Sequence, residues 1–384
     1  MAVIEGVEVN EGPAGYTYRA QVLGLEGSPP ELWYNVPSRF GHMLTDRADP
    51  VIVGLLIPAM RSGQDIVIRT TSSSELLAKL PQLQGLLVGI LPCLQVIEVV
   101  ADDPQPSVAV PSGVGAGFSA GIDSYCVLAD HYVSHLLYNN VGSHGSGSQG
   151  RRLFEQRYER ISFAAREFGT PLVQVDSNLD EFYPAFSFLG SHTLRNASVA
   201  HLLSHGVGEF LYASAYADSD THLGPSASLA ASDPWTLPLL STSGLSLRSV
   251  GGEYTRLEKV ARVANEVSSS RHHLDVCVTP TREGTNCSRC WKCRRTMATL
   301  DLISHLDFYA DVFNLRRWRI DRLWYLAEIA SSDYPMEAEV AALAASQGQT
   351  PPAWATRTLP LVRRTERVAR RLSRGIRRRL GTSL

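Results

Sequence analysis

Short apolar runs alternate with amphipathic stretches through the middle of the chain. The runs at 114–118, 134–138, 171–175 and 209–214 are five or six residues long and are bounded by Gly, Pro, Ser or Asn. That length and punctuation predict buried strands. The stretches 124–132, 151–168, 196–203 and 256–267 read as helices, and in the second Phe154, Tyr158, Ile161 and Ala165 recur on one face. Strands separated by helices build βαβ units, so residues 107–320 are expected to form an α/β domain on a parallel sheet. Ligands of such sheets bind at the carboxyl ends of the strands. The Ser- and Gly-rich stretch 142–150 is expected to be a loop after one of these strands.

Residues 1–104 have a different rhythm. Alternating or β-branched patterns at 16–23, 66–71 and 95–100 predict strands. The apolar stretch 50–61 suits a helix that Pro58 would kink or end. Asp102-Asp103-Pro104-Gln105-Pro106 reads as a polar linker. From 315 the chain is rich in Arg and Ala and reads as helical. The expected division is a β-rich domain at 1–104, the α/β domain at 107–320 and a helical region at 321–384.

Composition narrows the class. With 384 residues, 44% hydrophobic and 19% charged, the chain is long enough for two domains and ordinary for a globular protein. The longest apolar stretches, 51–60 and 86–100, are too short or too interrupted to span a bilayer. The first residues lack the basic-then-apolar order of a signal peptide. A cytoplasmic protein without a transmembrane segment is the expectation. The net charge of −2 hides an asymmetry: between Arg363 and Arg379 nine arginines stand against Glu366 alone. Val368, Leu372 and Ile376 recur there at helical spacing. Such a tail suits nucleic-acid phosphates or an anionic membrane, and equally docking on the acidic body or a solvated helix.

The candidate chemistry begins after the strand at 114–118, in Ser119-Ala120-Gly121-Ile122-Asp123-Ser124. A Walker loop is excluded, because no Gly-Lys-Ser/Thr supplies the lysine. Gly115-x-Gly117-x-x-Ala120 fits only a loose dinucleotide fingerprint, without a clearly placed acid further on. Ser-x-Gly-x-Asp-Ser between a strand and a helix is instead the signature of a PP-loop. Its glycine frees backbone N–H groups, Ser119 and Ser124 add hydroxyls, and the helix start favours an anion. Asp123 would orient the loop or hold Mg²⁺ on the phosphates. The bland alternative is a tight turn with Asp123 or Ser124 capping the helix.

Four of the six cysteines cluster: Cys277, then Cys287, Cys290 and Cys293 with two residues between each. Thiolates on such turns converge on one tetrahedral ion, and four sulfurs leave no open position, so a structural zinc site is expected. An iron–sulfur cluster uses similar ligands. Cys93 and Cys126 stand apart as expected buried residues.

Together, loop and quartet resemble the 7-cyano-7-deazaguanine synthases of the PP-loop ATP pyrophosphatase superfamily. The resemblance covers about 112–300. The loop is similar to the family's Ser-Gly-Gly-x-Asp-Ser, with Ala120 in place of its first glycine. His192-Thr193-Leu194-Arg195-Asn196 is similar to its Gly-Arg-Asn element, the stretch 209–216 followed by Asp218 to the strand ending in a substrate-site acid, and Arg295 to the arginine after the last cysteine. The family's acidic, aromatic substrate stretch is missing; 223–243 is rich in Ser, Ala and Pro instead. The resemblance implies an adenine nucleotide alpha hydrolase-like, Rossmann-like fold and a ligase that adenylates a carboxylate with ATP, releases pyrophosphate and forms an amide or nitrile. It implies Ser119, Asp123, Ser124 and Lys259 as catalytic residues, and Ser119, Ala120, Gly121, Ile122, Asp123, Ser124, Arg195, Asn196 and Arg256 as nucleotide contacts. Arg256 and Lys259 share a helical face by i, i+3 spacing, where the alternative is a solvated face with Arg256 on Glu253.

ATP, Mg²⁺ and Zn²⁺ are the expected cofactors. The expected partners are a small-molecule carboxylate such as a deazapurine, ammonia or an amine, and a second copy of the chain in a homodimer. Diverged relatives act in natural-product pathways and antiviral defence. A second enzymatic reading is sulfur transfer or tRNA modification, with Cys126 the nucleophile nearest the loop. A third is a non-catalytic zinc-containing interaction or defence protein.

Overall fold

Ten strands make one mixed sheet in the computed structural model, which describes residues 1–107, 111–145, 147–279, 281 and 283–359. They are β1 (Ala2–Gly12), β2 (Gly15–Leu23), β3 (Glu31–Val36), β4 (Ile66–Ser73), β5 (Val99–Gln105), β6 (Val114–Gly117), β7 (His135–Asn139), β8 (Leu172–Ser177), β9 (Glu209–Ala213) and β10 (Ser246–Val250). Their order is β10-β9-β6-β7-β8-β3-β2-β1-β4-β5. The basic stretch between Arg363 and Arg379 lies outside the described residues.

β6 to β10 pair only in parallel among themselves. The chain runs β6, β7, β8 in one direction and then returns to the other side of β6 for β9 and β10. The order therefore reverses between β6 and β9, and a doubly wound sheet opens its ligand crevice at such a switch point. The helices of this half are α3 (Ile122–Asp130), α4 (Gly147–Glu167), α5 (His192–Leu202), α6 (Asp233–Leu239), α7 (Arg256–Glu266) and the short α8 (Ser270–His273). α4 starts inside the stretch read as loop at 142–150.

The N-terminal strands carry α1 (Asp49–Ser62) and α2 (Ser74–Ile90). α1 is apolar on all sides and buried along nearly its whole length, so it is a core helix rather than an amphipathic one. It runs through Pro58 without ending. The proline cannot donate to Gly54, four residues back, and the Tyr183 hydroxyl takes that carbonyl at 2.7 Å instead.

The expected domain boundary near 104 does not hold. β3 pairs antiparallel with β8, Tyr34 opposite Ser177 and Asn35 opposite Asp176. Asn178 extends this seam with its side chain, accepting from the Trp33 N–H at 2.9 Å and donating to the Glu31 carbonyl at 2.8 Å. One apolar core runs from Ile4 and Tyr18 through α1 to Val173, Leu194 and Phe210. The expected linker is largely β5, an edge strand where Pro104 removes no needed ladder bond. Arg47 fixes its end by donating to the carbonyls of Gln105 and Pro106. The compact units are Met1–Asp275 with Arg282–Gly284, and Val276–Thr281 with the chain from Thr285 onward. The second unit holds α9 (Trp291–Leu302), α10 (Leu315–Ile329) and α11 (Pro335–Ser346), which pack on one another. The helical C-terminal region thus starts with the cysteine cluster rather than at 321. No helix among the described residues is long and apolar enough to cross a membrane.

Candidate functional site

Phe118, Ser119, Ala120 and Gly121 lead from β6 into α3, at the switch point. The Phe118 N–H bonds the Leu137 carbonyl at 2.8 Å, and its ring meets Tyr125 edge-on. Ile122 is buried and pins the start of α3, while Ser119 is exposed. The N-cap of α3 is Gly121, so no capping side chain takes up the first-turn N–H groups. The alternative of a helix capped by Asp123 or Ser124 is thus not what forms; Ser124 turns its hydroxyl to the Gly121 carbonyl at 3.0 Å. A Cβ on Gly121 would lie 3.2 Å from Ser119 Oγ and 3.5 Å from the Asp275 carbonyl, so a side chain there would crowd the Ser119 hydroxyl.

Ala120 takes a left-handed φ of 55°. That backbone costs a residue with a Cβ about 1 kcal/mol or more. The Asp275 N–H holds the Ala120 carbonyl at 2.8 Å. The methyl is fully buried, so the cost of losing the glycine falls on the backbone and not on the space before the loop.

Asp123 accepts from Arg256 Nη1 with both oxygens at 2.6 Å, and Lys259 Nζ stands 3.9 Å from Oδ1. The carboxylate is engaged by both cations. Both cations come from α7, started by a reciprocal capping box of Thr255 and Glu258. Arg256 and Lys259 are 6% and 1% exposed, on the same face as Val260 and Val263. The solvated-face alternative is overturned: this is the buried face, and Arg256 pairs with Asp123. Lys259 also donates to the Ser214 carbonyl at 2.8 Å, just beyond β9. Burial pulls its amine below the ordinary value, with Asp123 opposing. Two cations against one carboxylate leave net positive charge beside the loop.

Arg195 and Asn196 do not join this group. Arg195 is fully buried, donating to Ser191 Oγ at 2.8 Å, the Val141 carbonyl at 2.9 Å and Asp180 at 2.5 Å, and stacked over Tyr183. It holds the segment after β7 in place, with Nε and Nη1 taken and Nη2 without a hydrogen-bond partner among the described residues. Asn196 accepts from Asn139 at 3.0 Å and donates to the His192 carbonyl at 2.8 Å. His192 Nδ1 meets the Tyr212 hydroxyl at 2.7 Å, and Thr193 donates to Asp233 at 2.6 Å. A polar chain thus joins the carboxyl ends of β7 and β9 to the first turn of α6. Asp218 is exposed against Gly252, where a Cβ would come within 1.9 Å of Oδ1. His201 is buried with Nε2 at 2.8 Å from the Leu240 carbonyl, a core histidine.

Cys126 is buried, and that burial, followed by Asp130, pushes its thiol up to about 12. A nucleophilic cysteine needs the reverse.

In the second unit the thiols of Cys277, Cys287, Cys290 and Cys293 all lie within 4.8 Å of one another. A zinc ion with Zn–S near ~2.3 Å spaces its sulfurs about 3.8 Å apart, and Cys277 and Cys290 are 3.9 Å apart. The four could hold a metal ion such as zinc. The four thiolates of an iron–sulfur cluster are divided among two or more irons, so as a set they stand wider. The Cys287 sulfur accepts the N–H groups of Arg289 at 3.4 Å and Cys290 at 3.3 Å, across a turn in which Ser288 is left-handed. Cys277 accepts the Cys287 N–H at 3.3 Å. Arg295 is buried with its guanidinium over Trp291 and Tyr334.

Three residues by the loop escape a reading of the sequence. Asp275 meets it through the backbone, and Arg157 and Arg160 of α4 converge on the Asp275 carboxylate. The only sequence signal was the i, i+3 spacing of the two arginines. No family model matches the chain, and no curated protein or solved structure matches it either.

Proposed function

We propose that the chain is an ATP-dependent adenylating enzyme with a PP-loop, a ligase related in chemistry to 7-cyano-7-deazaguanine synthase. The observation that carries the reading is the loop from Ser119 to Ser124 at the switch point of a doubly wound sheet, with Arg256 and Lys259 converging on Asp123. A glycine cradle, uncapped helix N–H groups and excess cationic charge fit the pyrophosphate part of a nucleotide.

In this reading a substrate carboxylate oxygen attacks the α-phosphorus of ATP. The bond to the β-phosphate oxygen breaks, and pyrophosphate leaves with the electron pair. Ser119 and the first-turn N–H groups of α3 hold the leaving group. Arg256 and Lys259 offset its charge, and Asp123 keeps both cations in place until it binds. Mg²⁺ arrives with the phosphates. Ammonia or an amine then displaces AMP from the acyl-adenylate to give an amide. With ammonia, a second ATP can adenylate the oxygen of the primary amide, releasing pyrophosphate, and loss of AMP and a proton leaves the nitrile. The protein's share is positioning and charge stabilisation. Zinc, closed in by four sulfurs, takes no part in the chemistry. A cytoplasmic setting suits such reduced thiols.

The test is carboxylate-dependent pyrophosphate release, assayed across deazapurine and other carboxylates. Release by the unaltered chain is expected to fall by roughly a hundredfold in Ser119→Ala and Asp123→Ala. Release that persists unchanged in both variants sinks the proposal.

A further inference from the structure

α10 leaves one face uncovered. Ile320 is 72% exposed there, and Leu323 and Trp324, one turn on, are only half-buried. The chain returns to this face in a short helix over 353–359. Its Trp354, 55% exposed, meets Trp324 edge-on with ring centroids 6.0 Å apart. An aliphatic and two indole side chains thus form one strip open to water, where an amphipathic helix would bury them.

The rim of the strip is cationic. Arg316 lies one turn before Ile320, Arg319 beside it and Arg357 one turn after Trp354, all exposed. None of the three has an ion pair among the described residues, because the acids of α10 are taken. Asp321 is met by Arg317 at 3.2 Å and Glu328 by Arg294 at 2.8 Å. In sequence, the nine arginines between Arg363 and Arg379 follow within a few residues. Val276–Thr281 with the chain from Thr285 onward holds 18 basic against 9 acidic side chains, a net of +9 in a chain of net −2.

We propose that the strip of Ile320, Trp324 and Trp354, rimmed by Arg316, Arg319 and Arg357, seats the second unit on an anionic lipid surface. The apolar side chains enter the headgroup boundary, and the guanidinium groups meet lipid phosphates. Indole suits that boundary, with an apolar body and one N–H donor. Other occupants fit less well. A second copy of the chain would bring like charges together, and so would the arginines between 363 and 379. Nucleic acid answers the charge, but Ile320 offers a base no flat face, and Trp354 is already set edge-on against Trp324. Val368, Leu372 and Ile376 recur among the later arginines at helical spacing, a sequence pattern that membrane surfaces also select. The inference is independent of the loop from Ser119 to Ser124.

Flotation of the full chain with vesicles, at low and at high salt, tests it. Vesicles of mixed phosphatidylglycerol and phosphatidylcholine should carry the protein up the gradient, and vesicles of phosphatidylcholine alone should not. Arg316→Gln/Arg319→Gln should weaken binding roughly tenfold or more. Ile320→Ser should weaken it roughly tenfold and leave the remainder more sensitive to salt. These three side chains are exposed, so the fold is expected to stay intact, which circular dichroism checks. Binding unchanged in both variants puts the attraction on the residues beyond 359 alone and overturns the proposal. Failure to float with anionic vesicles at low salt, or equal flotation with both kinds of vesicle, overturns it too. So does binding of a single-stranded oligonucleotide that the arginine variant loses while vesicles stay unbound, which would give the surface to nucleic acid.

Discussion

Asp233 shows how little a residue's letter says about its chemistry. It stands in the first turn of α6, 1% exposed, with Thr193 on Oδ1 and no partner for Oδ2 among the described residues. Burial raises its pKa from the ordinary 3.8 to about 8, with Thr193 opposing. The folded chain thus keeps a proton that the unfolded chain releases. This contribution to stability is full below pH 3.8 and is lost as pH rises toward 8, at up to about 1.4 kcal/mol per pH unit. Asp233→Asn should remove that slope. Denaturant unfolding between pH 4.5 and 7.5 checks this, and the difference between the two proteins should grow in favour of the variant as pH rises. In the sequence Asp233 was one acid in a Ser-, Ala- and Pro-rich stretch, and nothing local marked it. Asp123 was legible because its neighbours in sequence are also its neighbours in space. Asp275 was not, because its partners lie more than a hundred positions away.

Among the elements, those set by local pattern were readable. β6, β7, β8 and β9 and the helices α3, α5 and α7 lie within a few residues of where apolar runs and periodicity put them. β1, β3, β10 and α2 were not anticipated. β1 carries Gly6 and polar positions along an exposed face, and α2 contains Pro81, which argues against a helix until tertiary packing overrides it. The cysteine cluster is the element most fully written in the sequence, since its spacing alone sets the turn. Its metal should stabilise the fold of the second unit, because Cys290 is the N-cap of α9 and Cys293 lies in its first turn. The purified protein is expected to carry about one zinc per chain, by elemental analysis. Cys290→Ser should lose it and lower the melting transition of Val276–Thr281 and the residues after Thr285. Retained zinc at full occupancy would contradict a four-sulfur site.

For the molecule as a whole, the β-rich pattern of 1–104 and the polar stretch 102–106 suggested a separate N-terminal domain. The seam between β3 and β8 makes that half part of the same sheet. Tyr34 marks the dependence: it is fully buried on β3, and its hydroxyl lies 3.0 Å from Ser198 Oγ on α5. A chain lacking residues 1–104 should therefore fail to fold, exposing the α5 face and an unpaired β8 edge. Expression and near-ultraviolet circular dichroism of the truncated chain check this; a soluble, cooperatively folding product would restore the separate-domain reading.

The central claim is that the loop at the switch point holds the pyrophosphate split from ATP. Carboxylate-dependent exchange of labelled pyrophosphate into ATP measures that step in its reverse direction and needs no nitrogen donor. Exchange by the unaltered chain that drops by roughly a hundredfold in Ser119→Ala and in Lys259→Met is the result expected. Exchange that proceeds equally in both variants, or an unaltered chain that binds ATP and never exchanges with any carboxylate, would contradict it.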